Sequence, residues 1–202
     1  MDSKSKMSTE QYELCSTIAR GMIKMATTDP HSTFLWGLRG FAGSKEKCEY
    51  VRDELGFDEC ISHNNEDLPM QLSDVCPNGI DVYFENVGGK VLDSVLPLLN
   101  DFARIPICGI ISAYNSTELP CGPNLIPSLM RSILVKRLTF RGFIVWDFAN
   151  QEKEALQQLA KWIKQGKLHY LEDIVDGLEN APEAFIGLFD GKNFGKLVVR
   201  VN

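Results

Sequence analysis

Metal-ligand spacing is missing from this sequence. Its six cysteines (Cys15, Cys48, Cys60, Cys76, Cys108 and Cys121) form no Cys-x-x-Cys pair, and its three histidines are never paired at metal spacing. That opposes a structural zinc site, predicts no bound metal, and fits a reducing compartment. A basic excess is missing too. With 21 lysines and arginines against 27 acids, the net charge of -6 argues against nucleic acid or an anionic membrane as the main partner. No apolar run approaches the roughly 20 residues that span a bilayer, and no charged-then-apolar leader opens the chain. A cytoplasmic placement is expected. Internal repeats and low-complexity segments are absent as well.

What is present is enough apolar material for one core. The chain has 202 residues, 44% hydrophobic and 24% charged, which excludes a disordered composition. Its pattern is clearest over residues 79–115. Residues 80–84 (Ile-Asp-Val-Tyr-Phe) read as a strand covered on both faces, and Gly88 and Gly89 break it where such a strand surfaces. Val91, Leu92, Val95, Leu96 and Leu99 then share one side of a helix, and residues 104–111 return as an apolar strand. A strand, helix, strand crossover of a parallel sheet is predicted, so the fold class is α/β.

Ligands of such sheets bind at the carboxyl ends of the strands. The loops at 85–89 and 109–115 both open on that edge, where a glycine pair admits a ligand close to backbone and Asn86 and Tyr114 supply donors. A plain turn at Gly88 and Gly89, with Tyr114 an ordinary surface residue, is the alternative.

Elsewhere the chain repeats the alternation. A helix over residues 10–25 ends before Pro30, and a strand over 33–41 is interrupted by Gly37 and Gly40. Residues 45–55 form a helix with Cys48, Val51 and Leu55 inward and Gly56 at its end; Leu68, Leu72 and Val75 mark another, closed by a turn at 76–79. A proline-rich loop at 120–127 precedes an apolar helix face through Leu129 and Ile133, then a strand over 137–145. Leu156, Leu159, Ala160 and Ile163 make an amphipathic helix, and residues 174–175 a short strand. Asn180, Pro182 and Glu183 mark a capped helix start, with Phe185, Leu188 and Phe189 buried; residues 197–201 are the last strand.

Several motifs together carry a resemblance. Phe-Glu-Asn-Val-Gly-Gly at 84–89, Ala-Arg-Ile-Pro-Ile-Cys-Gly-Ile-Ile-Ser-Ala-Tyr-Asn at 103–115, Gly-Leu-Glu-Asn-Ala-Pro-Glu-Ala-Phe at 177–185 and Gly-Lys-Asn-Phe-Gly-Lys at 191–196 stand in the right order and spacing. From about Gly40 onward the chain resembles the zinc-independent medium-chain reductases of the prostaglandin reductase, leukotriene B4 12-hydroxydehydrogenase and bacterial curcumin reductase type. The resemblance implies a doubly wound parallel sheet, Rossmann-like, over residues 34–202. It also implies that the first strand and glycine-rich turn are lacking or replaced in an atypical extension over 1–33, because no Gly-x-Gly-x-x-Gly precedes residue 40. The resemblance further implies that the family's amino-terminal barrel-like domain is absent.

By the same resemblance the cofactor is NADP. Lys47 meets its 2'-phosphate, although Lys45 and Lys47 alone would also suit a solvated helix face. His63 stands where the family usually has a tyrosine against the adenosine phosphate, a departure that still permits stacking and a hydrogen bond; on its own it reads as a surface histidine. Asn86 holds the nicotinamide side, which is lined by Cys108, Gly109, Ile110, Ile111, Ser112 and Ala113, with Tyr114 as the catalytic donor. Phe143, Ile144 and Val145 pass the nicotinamide, with a core strand the alternative, and Asn193 touches the cofactor, with a turn role the alternative. The implied activity is NADPH-dependent reduction of the carbon-carbon double bond of enones and enals by a homodimer. A non-catalytic cofactor-binding or dimerisation module of the same family is the second expectation.

Overall fold

The computed structural model describes residues 38–118 and 124–201. The expected extension over 1–33, the helix over 10–25 and the first half of the proline-rich loop lie outside them. Strand β1 (Arg39–Ala42) leads through Ser44 into helix α1 (Lys45–Asp53). The Ser44 hydroxyl accepts the Lys47 N–H and so satisfies one of the donors left free at a helix start. Gly56, at φ 75°, turns the chain back, and β2 (Glu59–Ser62) pairs with β1 in parallel. Helix α2 (Leu68–Val75) follows, with Leu68 and Leu72 one turn apart on its buried side.

The central crossover is present as predicted in kind: β3 (Ile80–Val82), α3 (Gly89–Val95) and β4 (Leu99–Ile107), with the two strands parallel. Helix α4 (Ile126–Lys136) returns the chain to β5 (Thr139–Gly142), which pairs in parallel on the other side of β4. Helix α5 (Glu152–Lys164), β6 (Glu172–Asp176), α6 (Ala181–Phe189) and β7 (Lys196–Arg200) complete the described chain, β6 and β7 again parallel. One apolar core runs through Ile61, Leu68, Leu72, Val91, Val95 and Ile105, so β1-β2 and β3-β4-β5 share an interior.

The class is therefore mixed α/β with parallel sheets of Rossmann type. The described strands form three pieces, β1-β2, β3-β4-β5 and β6-β7, rather than one continuous sheet. The doubly wound order places the first strand between the second and the fourth, here between β1 and β3. No described strand occupies that place.

Five local expectations need correction. Strand β3 ends at Val82 rather than 84, because Pro106 on β4 has no N–H to continue the ladder, which resumes as a single bridge between Glu85 and Ile107. Leu99 belongs to β4, since Pro97 tightens the end of α3 into a 3-10 turn at Leu96–Leu98. The strand expected over 137–145 is confined to Thr139–Gly142; the chain turns at Arg137, in the left-handed region, and enters a 3-10 turn at Val145–Gln151. Phe185, Leu188 and Phe189 are exposed, and α6 buries only Gly187. Asn180 does not cap that helix either: its Nδ2 donates to the Asp176 carbonyl at 2.8 Å.

Candidate functional site

The loops after β3 and β4 are fastened to each other by backbone. Glu85 N donates to the Pro106 carbonyl at 2.9 Å, and the Glu85 carbonyl accepts from Cys108 N at 2.8 Å and Gly109 N at 3.3 Å. One step further out, Ile111 N donates to Asn86 O and Ser112 N to Val87 O, both at 3.0 Å. The glycines make this approach possible. Gly88 and Gly89 have φ of 73° and 54°, and a Cβ on either would stand 3.3 Å from the Ser112 hydroxyl. A Cβ on Gly109 would lie 2.6 Å from the Tyr114 hydroxyl and 2.7 Å from Asn86 Oδ1. Asn86 and Tyr114 thus converge on the bare backbone of Gly109, both exposed to solvent. The Tyr114 oxygen accepts from Ile110 N at 3.4 Å, which leaves its proton free to donate outward.

A second cluster lies at the ends of β1 and β2. Lys47 Nζ donates to the Gly191 carbonyl at 2.6 Å, joining α1 to the loop between α6 and β7. Tyr50 packs edge-on against Phe194, with ring centroids 5.5 Å apart, in the same junction. His63 approaches Gly43, whose Cβ would be 3.5 Å from Nε2. Burial holds the His63 pKa below its usual 6.5, and Lys90 and, more weakly, Lys47 push the same way, while Asn64 opposes them. Lys90 follows the glycine pair, so it connects this basic cluster to the first one.

The remaining candidates divide. Phe143 packs on Phe84 and Phe148, at 6.3 and 5.9 Å between centroids, and its N–H donates to Ile107 O. Ile144 and Val145 face solvent. Asn193 Nδ2 donates to Gly195 O at 2.7 Å within its own loop, which lies next to the Lys47 anchor. A shallow depression lined by Gln157, Ala160, Lys161 and Lys164 is walled by α5 alone and lies off this rim.

Residues 55–199 match the zinc-binding dehydrogenase family model. The chain belongs to that family. It is 54% identical over 163 residues to the NADPH-dependent curcumin reductase of Escherichia coli, covering 80% of this chain and 47% of that protein. To the 2-alkenal reductase (NADP(+)-dependent) of Nicotiana tabacum it is 43% identical, over 81% of this chain and 46% of the relative. Among solved structures, CurA from Vibrio vulnificus in complex with NADPH is 56% identical with a TM-score of 0.77, over 81% of this chain and 49% of that one. The chain spans about half the length of the curated relatives it matches.

Membership in the zinc-binding dehydrogenases raises the question of a metal. Among the described residues no group of three or more His, Cys, Asp or Glu side chains could hold one, so this part of the chain does not fit a zinc ion. The rim offers bare backbone at Gly88, Gly89 and Gly109, the amide of Asn86 and hydroxyl of Tyr114, and, apart from these, the side chains of Lys47, His63 and Lys90.

Sequence reasoning missed two residues of this rim. Glu85 is only 1% exposed, and its carboxylate accepts the Val87 and Gly88 N–H groups. Its sequence signal was parity: residues 83 and 85 lie on one face of the strand, and an acid on the buried face needs donors. Lys90 is near enough in the fold for its charge to lower the His63 pKa, and it had no local signal.

Proposed function

We propose that this chain is the cofactor-binding part of an NADPH-dependent oxidoreductase that reduces the carbon-carbon double bond of α,β-unsaturated ketones and aldehydes. The observation that carries the reading is the convergence of Asn86 and Tyr114 over Gly109, with a basic cluster of Lys47, His63 and Lys90 further along the same rim. The names of the Escherichia coli and Nicotiana tabacum relatives, and the NADPH complex of the Vibrio vulnificus protein, support it.

The bound nicotinamide would supply the hydride. The chain's own residues bind and orient. Lys47 and His63 receive the 2'-phosphate, Lys47 exchanging its Gly191 carbonyl for a charged oxygen. Asn86 offers an amide that both donates and accepts beside the ring, and the backbone at 108–113 forms the wall behind it. Tyr114 donates its hydroxyl proton to the ribose or to the carbonyl oxygen that gathers charge as the double bond is reduced. Phe143 braces the wall through Phe84, with Ile144 and Val145 at its open edge, and Asn193 shapes the loop facing Lys47. Cytoplasmic placement is supported by the free Cys48, Cys60, Cys76 and Cys108.

A second reading, a binding or dimerisation module without turnover, is favoured by the exposed apolar residues of α4, Ile126, Met130 and Leu134, which suit a second copy of the chain. Turnover with a 2-alkenal, measured beside light scattering, separates the two. Titration of NADPH and NADH tests the cofactor assignment: Lys47→Ala should weaken NADPH about tenfold or more, the loss of one charge-assisted bond, and leave NADH nearly unchanged. Equal losses would refute the 2'-phosphate role.

A further inference from the structure

The most deeply buried charged group of the rim has no part in the chemistry above. Glu85 is 1% exposed, and its Oε1 accepts three hydrogen bonds, from Val87 N and Gly88 N at 2.7 Å each and from the Tyr83 hydroxyl at 3.3 Å. Its Oε2 is buried with no partner. Burying a carboxylate is expensive unless it is hydrogen-bonded, and here the bonds are concentrated on one oxygen. What the carboxylate achieves is directional. Its side chain fixes the two amides that follow Asn86, while its own carbonyl fixes Cys108 N and Gly109 N on the opposite strand. Asn86 is the residue between these anchors, and its side chain is thereby directed over Gly109 toward Tyr114.

We infer that Glu85 is a positioning residue: through the Val87 and Gly88 amides it sets the Asn86 side chain against Gly109 and holds the nicotinamide end of the rim ready for its ligand. The geometry selects this side chain. Glutamine preserves the accepting Oε1 and only replaces the partnerless Oε2 by an amide group. Alanine offers no acceptor. The Tyr83 phenol belongs to the same arrangement; burial first, and the neighbouring carboxylate second, push its pKa upward, so it remains a donor to Glu85.

The functional consequence rests on the cofactor reading, and the test separates the two. Wild type, Glu85→Gln and Glu85→Ala chains are titrated with NADPH and with adenosine 2',5'-bisphosphate, which carries only the phosphate end, and their amide hydrogen exchange is followed residue by residue. Glu85→Ala should bind NADPH about tenfold more weakly, Glu85→Gln within about threefold of wild type, and the bisphosphate should bind all three alike. The Val87, Gly88, Ile111 and Ser112 amides should exchange about tenfold faster in Glu85→Ala, with Tyr83 and Glu85 amides unchanged. Equal weakening of both ligands, uniform loss of protection, or unchanged exchange at Val87 and Gly88 would each overturn the inference. A wild-type chain that binds neither ligand would sink the cofactor reading alone, and the exchange pattern would still decide the role of Glu85.

Discussion

Gly109→Ala tests the site with one methyl group. The residue is not in the left-handed region, so alanine can adopt its backbone and slightly restricts the unfolded chain. The new Cβ would sit 2.6 Å from the Tyr114 hydroxyl and 2.7 Å from Asn86 Oδ1, where ordinary contact begins at 3.4 Å, so both polar ends must retreat by 0.7–0.8 Å. Both are tips of exposed side chains, and they can move without disturbing the core. Folding free energy measured by urea unfolding should therefore change by no more than about 1 kcal/mol. Ligand placement should suffer more, because a displacement of about 1 Å of positioning groups can cost up to two orders of magnitude in rate. Fluorescence titration should show NADPH affinity down about tenfold, about 1.4 kcal/mol. Gly142→Ala, whose Cβ meets nothing within 4 Å, is the control and should bind as wild type. If Gly109→Ala also binds as wild type at unchanged stability, the convergence of Asn86 and Tyr114 has no bearing on the ligand.

Two further outcomes follow from the geometry. Gly79→Ala should destabilise by several kcal/mol without altering the rim, because its φ is 75° and a Cβ would meet Asn100 Oδ1 at 2.1 Å and the Leu98 carbonyl at 2.9 Å; urea unfolding shows this, and a loss below about 1 kcal/mol would refute the turn geometry. Burial holds the His63 pKa below its usual 6.5, so below that pH the unfolded chain takes up the proton more readily than the folded one. Stability should fall as pH drops through that value toward the lower folded pKa and be unaffected by this group above it. The melting temperature of His63→Gln should depend less on pH in that window than wild type, and an identical dependence would show that His63 is not shielded.

The central crossover was legible because β3, α3 and β4 change hydrophobic period within one segment, and the loops at their carboxyl ends followed from parallel topology. The placing of Asn86 and Tyr114 over one glycine was not, since it depends on the backbone bonds between residues 86–87 and 111–112. Helical spacing revealed that α4, α5 and α6 each have an apolar side. Whether that side has a partner is a tertiary fact, and among the described residues Met130, Leu156 and Phe185 remain exposed. Glu85 had only strand parity to mark it as inward-facing; that its carboxylate collects the Val87 and Gly88 amides depends on how the loop turns.

Pro106 leaves a seam directly beneath the rim. The rung that residue 106 would give to the Tyr83 carbonyl cannot form, so the pairing of β3 with β4 is interrupted just before the bridge from Glu85 to Ile107. One absent main-chain bond lowers the cost of parting the strands there by about 1 kcal/mol.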